Sequence, residues 1–153
     1  MGNRRKSREF ALQALFYMDS HRDASPEMLE RYCQCFMEGK RKPAFFETLV
    51  NGVLEARAEI DTTIEQYSDN WKLSRMAGVD RNILRIAVYE LLFCDDIPVK
   101  VSINEAIDIG KKFGTDESGS FINGILDSIR KARNIKKDPP PAQAEPPLET
   151  NKA

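Results

Sequence analysis

The residue types best suited to binding phosphate are concentrated at the start of this 153-residue chain. Arg4, Arg5, Lys6 and Arg8 lie within the first eight residues, which contain no acid. Arginine offers forked donors to phosphates and a planar face to bases. A helix that began here would hold Arg4 and Arg8 on one face, with Arg5 beside them. The cluster is therefore a candidate RNA-binding element, and the alternative is a solvated, frayed terminus.

An aromatic residue near the other end of the chain is a second candidate for RNA chemistry. Phe121 follows the small residues Ser118-Gly119-Ser120 and lies at the edge of the apolar arc of its predicted helix. A ring at such an edge leaves one face open for an unstacked base. The alternative is a phenylalanine at the rim of the core, and the spacing alone does not separate the two.

Catalytic and metal-binding residue patterns are scarce. His21 is the only histidine, and no nucleophile is marked beside it. Cys33 and Cys35 would point about 200° apart on a helix, so they cannot hold one metal from the same face. The glycines are scattered rather than gathered into a phosphate-binding loop. We therefore expect no catalytic residues, no metal site and no cofactor.

The net charge of −1 hides an uneven distribution along the chain. Residues 1–8 carry +4, residues 9–137 carry −3, and residues 138–153 carry −2. Nucleic-acid binders are usually basic overall, so the average argues against one. The partition instead predicts a basic arm on an acidic body, which would bind RNA weakly alone and suit a basic protein partner.

The sequence also limits the possible cellular locations of the protein. No uncharged run of 18 residues is present, so no membrane-spanning helix is expected. No continuous apolar segment with a cleavage site follows the basic N-terminus, which argues against a secretory signal. The three cysteines are an odd number, which fits a reducing cytoplasm better than a disulfide framework. We expect a cytoplasmic protein.

These candidate residues must be positioned by helices, because the apolar spacing is helical almost throughout. About seven helices are predicted, with breaks near 22–25, 38–43, 59–61, 69–79, 95–101 and 114–116. The segment 83–93 is apolar nearly all round and is predicted to be the central helix. The expected helix boundaries are Ser25-Pro26, Pro43, a capping box at Ser102–Glu105, Gly114 as a stop and Asp116 as a cap.

The composition changes after Lys137. Five of the eight prolines lie between Pro139 and Pro147, and few large apolar residues remain. We therefore predict an all-α helical domain over residues 1–137 and an extended, disordered proline-rich tail over residues 138–153.

Several stretches, taken in order, resemble the NusB family of transcription antitermination factors. They are residues 7–16 (Ser-Arg-Glu-Phe-Ala-Leu-Gln-Ala-Leu-Phe), 49–53 (Leu-Val-Asn-Gly-Val), 79–91, Ile97-Pro98, Ile103-Asn104-Glu105-Ala106, Lys111-Lys112-Phe113-Gly114 and residues 118–127, with Phe121-Ile122-Asn123-Gly124. Each motif is weak singly, and their order and spacing over about residues 4–130 make the set specific.

The resemblance implies two small helical subdomains forming one compact domain, and a non-enzymatic role. Members of the family pair with the small-subunit ribosomal protein NusE. The pair binds the boxA element of ribosomal RNA leader transcripts and joins the RNA polymerase antitermination complex, which promotes read-through.

Family positions also imply roles for particular residues. Arg4, Arg5, Lys6 and Arg8 correspond to the RNA-binding arm. Phe121 corresponds to the base-contacting aromatic, with Glu117 and Ser118 beside it. Phe16 and Asp80 correspond to the surface that meets the ribosomal protein. Relatives often carry tyrosine where Phe16 stands, so a hydroxyl bond made there is absent.

Two other interpretations remain open at this point. Some ribosomal RNA cytosine methyltransferases begin with a similar helical domain and continue into a catalytic domain, whereas this chain continues into a polar tail. A protein-interaction module with no RNA role would also carry these helices.

Overall fold

The computed structural model describes residues 2–39, 42–69 and 71–137. The helices are α1 Gly2–Ser20, α2 Pro26–Phe36, α3 Ala44–Glu55, α4 Arg57–Gln66, α5 Gly78–Phe93, α6 Val99–Phe113 and α7 Ser118–Ala132, with a 3-10 turn at Leu73–Arg75. No strand occurs within these described ranges. The all-α class and the number of helices are therefore confirmed. The tail of residues 138–153 lies outside the described residues, so the division at residue 137 stays a prediction.

The predicted central helix is α5. Its buried side chains point to every side, and they include Leu84, Val88 and Leu91. The helix packs against α1, α3, α4, α6 and α7, while α1 also packs on α2 and α3, and α6 packs on α7. One continuous core joins the group of α1, α2 and α3 to the pair of α6 and α7 through α5. Among the described helices, none is long and apolar enough to cross a membrane.

Three predicted helix boundaries are confirmed. Ser25 accepts a hydrogen bond from the backbone N–H of Met28, and Pro26 follows it as the first residue of α2. Pro43 immediately precedes α3, and Gly114 ends α6. In each case the signal is local, since it depends on one or two residues and their own backbone.

Two predicted caps are wrong. Ser102 does not begin α6, because Pro98 starts the helix earlier and leaves Ser102 in its interior. The Ser102 hydroxyl and the Glu105 carboxylate bond to other helices instead of to free amides of their own first turn. Asp116 is not the cap of α7 either. Ser118 accepts from the Thr115 N–H, and the Thr115 hydroxyl accepts from the Glu117 N–H.

The expected break at 59–61 is displaced along the chain. Helix α3 ends at Glu55 and α4 begins at Arg57, so the break lies at Ala56. Ile60 is a fully buried residue inside α4. The apolar stripe continues across both helices, and for that reason the periodicity did not locate the change of direction.

Candidate nucleic-acid interface

Arg8 lies inside the protein rather than on the predicted basic surface. Its guanidinium is 4% exposed and donates to both oxygens of Glu90, at 2.7 and 2.9 Å. It also donates to Glu105 at 3.1 Å, and the Ser102 hydroxyl donates to Glu90 at 2.7 Å. Burial disfavours the charged form of Arg8, but the bonds and charge of Glu90, helped by Glu105, outweigh it and raise the pKa. Arg8 therefore anchors α1 to α5 and α6, a correction to its expected place on the RNA-binding surface.

Arg5 is partly engaged in the same cluster. Its guanidinium donates to both oxygens of Glu105, at 2.6 and 2.7 Å, and to Asp108 at 3.1 Å. The bond from Arg5 is the main reason that the pKa of Glu105 is lowered, and the positive charge of Arg8 adds to it against the effect of burial. More than a third of the Arg5 side chain still faces solvent.

Arg4 and Lys6 remain on the surface. About half of the Arg4 side chain is exposed, and its guanidinium lies over the Phe45 ring, 4.5 Å from the ring centre. Its ion pair with Asp96 is long, at 3.5 Å. Lys6 is exposed and has no ion pair among the described residues. Of the four basic side chains at the start of α1, Arg4 and Lys6 are therefore the two whose charge is most accessible to solvent.

The start of α7 presents Phe121 in its first turn and Glu117 at the preceding cap position. Phe121 is half-buried, with one side packed against the core and the rest open to solvent. Glu117 is exposed at the position before the helix. Ser118 is only 1% exposed, and its hydroxyl accepts from the Thr115 N–H at 2.9 Å. The Ser118 hydroxyl therefore shapes the turn before α7, and the predicted place of Ser118 near RNA stays a prediction.

Helix α6 connects these two candidate surfaces. Glu105 and Asp108 on α6 hold Arg5. One turn further along, Lys112 bonds Glu9 of α1 at 3.1 Å. Lys111 lies against the start of α7, where a Cβ placed on Gly119 would be 3.2 Å from its Cε. The N-terminal turns of α1 and α7 therefore flank α6, and the exposed amines of Lys111 and Lys112 lie between them.

Phe16 and Asp80 lie on a different part of the molecule. Phe16 is 41% exposed, and its ring packs against Gly78 in the first turn of α5. Asp80 is in that same turn. One of its carboxylate oxygens is buried without a hydrogen-bond partner in the described part of the chain. The structure thus brings together the two residues predicted to meet a protein partner.

The residues considered for catalysis or metal binding do not assemble into a site. His21 is exposed and bonds the Tyr17 carbonyl oxygen, and its ring lies 4.3 Å from the Tyr17 ring. Burial raises the pKa of Cys33, and burial with the nearby Glu90 and Asp96 raises that of Cys94 to about 11, which makes both thiols poor nucleophiles. Within the described ranges, no group of three or more histidine, cysteine and acidic side chains could hold a metal ion.

Sequence reasoning missed the acids that neutralise the basic cluster. Glu90 appears in the sequence as a polar gap in an apolar helix, yet it is 1% exposed and paired. Arg85 is the other such gap, and it bonds Asp61 of α4 through two donors at 2.8 and 3.2 Å. A charged residue inside an otherwise apolar helix was the available signal, because burying a charge requires a partner.

This chain is similar to known proteins over most of its length. The model of the NusB family matches residues 5–131. The transcription antitermination protein NusB of Desulfatibacillum aliphaticivorans is 60% identical over 129 residues, which are 84% of this chain and 90% of that protein.

Two solved structures have the same fold. The structure of T. maritima NusB matches with a TM-score of 0.74 and 42% identity, over 84% of this chain and 90% of that one. A structure of the antitermination factors NusB and NusE in complex with dsRNA matches with a TM-score of 0.75 and 26% identity, over 86% of this chain and 98% of that one. The chain therefore belongs to the NusB family.

Proposed function

We propose that this protein is an RNA-binding transcription antitermination factor that acts together with the ribosomal protein NusE. The pair binds the boxA element of ribosomal RNA leader transcripts and promotes read-through by RNA polymerase in the cytoplasm. The observation that carries the proposal is the pair of exposed N-terminal turns on either side of α6, with Arg4 and Lys6 on one and Phe121 on the other. Membership of the NusB family supports it, as does the likeness to a NusB–NusE complex with RNA.

The exposed residues divide the work of binding. Arg4 and Lys6 attract phosphates, and that attraction weakens as salt rises. Phe121 offers a ring face on which one base stacks, a contact worth roughly 1–3 kcal/mol. Arg5 contributes the part of its charge that Glu105 and Asp108 leave free, and Arg8 acts indirectly by fixing the position of α1. Glu117 limits the approach of phosphates beside Phe121.

The partner surface is formed by Phe16 and Asp80. The exposed Phe16 ring supplies apolar area, and the half-buried carboxylate of Asp80 supplies a negative charge beside it for a basic side chain of the ribosomal protein. A basic partner suits a body that carries a net charge of −3. It also adds the positive charge that a few exposed basic side chains cannot supply alone.

A binding titration tests the proposal. We expect a boxA-like RNA to bind this chain weakly alone and much more tightly with NusE. A scrambled RNA of equal length should bind less well under both conditions. Titrations at two salt concentrations should give a negative slope of log affinity against log salt. Equal affinity for boxA and scrambled RNA in the presence of NusE would contradict the proposal.

Substitutions locate the contact. Arg4→Gln with Lys6→Gln should weaken binding and flatten the salt slope by about 1.4 for single-stranded RNA. Lys42→Gln with Lys72→Gln removes the same amount of charge from two exposed lysines elsewhere on the protein. This control should change neither the RNA affinity nor its salt slope. Phe121→Leu keeps an apolar side chain at the rim but removes the ring face. It should weaken boxA binding while leaving the unfolding midpoint nearly unchanged.

The two remaining interpretations make different predictions. A relative of the ribosomal RNA cytosine methyltransferases would bind S-adenosylmethionine, and calorimetry with that cofactor tests this directly. A pure protein-interaction module would bind NusE, and the complex would shift no RNA in an electrophoretic assay.

A further inference from the structure

A second basic surface lies on the edge of α7 that faces away from Phe121. It is a groove of about 760 Å³ between the first turns of α6 and the second half of α7. Its polar lining consists mainly of Lys100, Asn104, Asn123, Arg130, Lys136 and Lys137. Phe121 and Asn123 are two positions apart on α7, which places them on opposite edges of its buried face.

The end of α7 folds back to form one wall of this groove. Asn134 has a positive φ of 52°, which asparagine tolerates better than most residues. The Ile135 N–H donates to the Arg130 carbonyl and the Asn134 N–H to the Lys131 carbonyl, the paired bonds of a Schellman ending. This turn directs residues 135–137 along the groove instead of away from the protein.

Lys137 fixes that wall to the core. Its ammonium donates to the carbonyl oxygens of Glu90 and Cys94, at 2.8 and 2.7 Å, at the C-terminal end of α5. Burial lowers the pKa of Lys137, although nearby negative groups oppose the shift. Lys136 is therefore held at a defined place on the rim with its amine exposed.

The groove is positively charged because its acid is already neutralised. Among the described residues, Asp127 is the one acid that lines the groove, and it pairs with Arg130 at 2.6 Å and with Lys131 at 3.1 Å. Lys100 and Lys136 are exposed and make no ion pair with any described residue. The exposed amides of Asn104 and Asn123 stand between these cations, and Val101 adds exposed apolar surface.

The surface between Phe121 and the groove is open. The solvent side of α7 carries Ser120 and Gly124, and a Cβ added at Gly124 would meet nothing within 4 Å. An α-helix with its side chains is about 10–12 Å across, and this one lacks bulky side chains at the crossing point. A polymer strand can therefore lie close against the α7 backbone as it passes from one edge to the other.

We propose that this groove binds single-stranded RNA flanking the segment held at Phe121, so that one strand crosses α7 and continues along α6. The inference rests on the proposed function. The charges and amides favour a nucleic acid over an acidic protein. Spaced lysines match successive phosphates, and side-chain amides bond to the base edges that a single strand exposes.

Two RNAs and two matched variants test it. The first RNA is a minimal boxA-like oligomer, and the second carries an additional single-stranded flank, tested separately at its 5′ and 3′ ends. With NusE present, the RNA that carries the flank at one of its two ends should bind the unaltered chain about tenfold more tightly than the minimal RNA does. Its salt slope should also be steeper than that of the minimal RNA. Lys100→Gln with Lys136→Gln should remove that gain, whereas Lys42→Gln with Lys72→Gln should keep it. The groove variant should bind the minimal RNA normally.

The possible outcomes separate this proposal from the preceding one. If the minimal boxA RNA fails to bind, the proposed function fails, whatever the flank does. If boxA binds but neither flank adds affinity, or the groove variant keeps the gain, the groove proposal is overturned. A groove variant that binds every RNA normally but loses NusE assigns the groove to protein and also overturns it. In NMR spectra, shifts of the Asn104 and Asn123 side-chain amide signals that appear with the flanked RNA but not with the minimal RNA would support direct contact.

Discussion

Arg4, Arg5, Lys6 and Arg8 have different environments once α1 forms. Arg8 is buried against Glu90, and Arg5 is shared between Glu105 and solvent. Arg4 and Lys6 keep most of their charge accessible. Basic residues within one short cluster are therefore bound into the fold at one position and left accessible to solvent at another. The decisive difference is whether an acid on another helix lies within hydrogen-bond distance.

Removing the buried guanidinium should destabilise the protein strongly. The Glu90 carboxylate is 1% exposed, and in Arg8→Ala it would keep the hydrogen bond from Ser102 but lose its cation. An uncompensated buried charge of this kind lowers the free energy of unfolding by about 3–5 kcal/mol. Lys6→Ala, two positions away, should change the free energy of unfolding by less than about 0.5 kcal/mol. Urea denaturation measures both values.

A double substitution checks the cause of that loss. Arg8→Met with Glu90→Leu removes both charges and fills similar volume, so it should recover most of the stability lost in Arg8→Ala. If Arg8→Ala is no less stable than Lys6→Ala, Arg8 does not anchor α1 to α5 and α6.

At the scale of helices, two glycines provide a matched pair. Gly52 on α3 faces Tyr89 of α5, and a Cβ there would be too close to the phenol ring. Gly52→Ala should therefore cost about 1–3 kcal/mol by forcing α3 and α5 apart. Gly124→Ala places the same methyl group in open space and should stabilise α7 by about 0.5–1 kcal/mol.

Thermal or urea unfolding of the two alanine variants measures this contrast. Tyr89→Ala removes the ring that Gly52→Ala would meet, so the two substitutions together should be less destabilising than the sum of their separate effects. Additive effects would show that the cost at Gly52 does not come from the contact with Tyr89.

The elements could be predicted wherever their cause is local. Apolar spacing predicted the seven helices, and Ser25-Pro26 marked the start of α2 correctly. The capping box at Ser102 failed because Glu90 and Arg5 compete for its two side chains from other helices. Arg8 and Glu90 are 82 positions apart, and Lys112 and Glu9 are 103 apart. No local pattern records such pairings, so the sequence located the basic cluster but not which of its charges are neutralised.

Over the whole molecule, the charge partition is less sharp in three dimensions than along the chain. The +4 of residues 1–8 folds onto the acidic side chains of α5 and α6 and is partly cancelled there. Positive charge reappears at Lys111 beside α7, and in the groove at Lys100 and Lys136. A chain with a net charge of −1 can in this way present basic surfaces for RNA and an acidic remainder for a basic partner.

The same ion pairs predict how the stability of the whole molecule depends on pH. The pKa of Glu105 is lowered from 4.5, chiefly by the bond from Arg5. For Asp19, burial acts to raise the pKa, but the bonds from Arg81 and Asn82 outweigh it, so the value falls below 3.8. Both acids bind protons more weakly in the folded than in the unfolded state. Their contribution to stability is therefore complete above the unfolded values and is lost as the pH falls through the lower, folded ones.

Urea unfolding at a series of pH values measures this effect. The free energy of unfolding should be level near neutral pH and should decline from about pH 5 downward. Glu105→Gln cannot ionise and loses its charged bonds to Arg5 and Arg8, so at neutral pH it should be less stable by about 1–3 kcal/mol. Its decline in acid should be shallower than that of the unaltered chain, because one of the responsible carboxylates is gone.

Asp116→Gln replaces an exposed acid that has no ion pair with any described residue, and it should leave the profile unchanged. A Glu105→Gln profile parallel to that of the unaltered chain would mean that this pair does not couple α1 to α6 in solution.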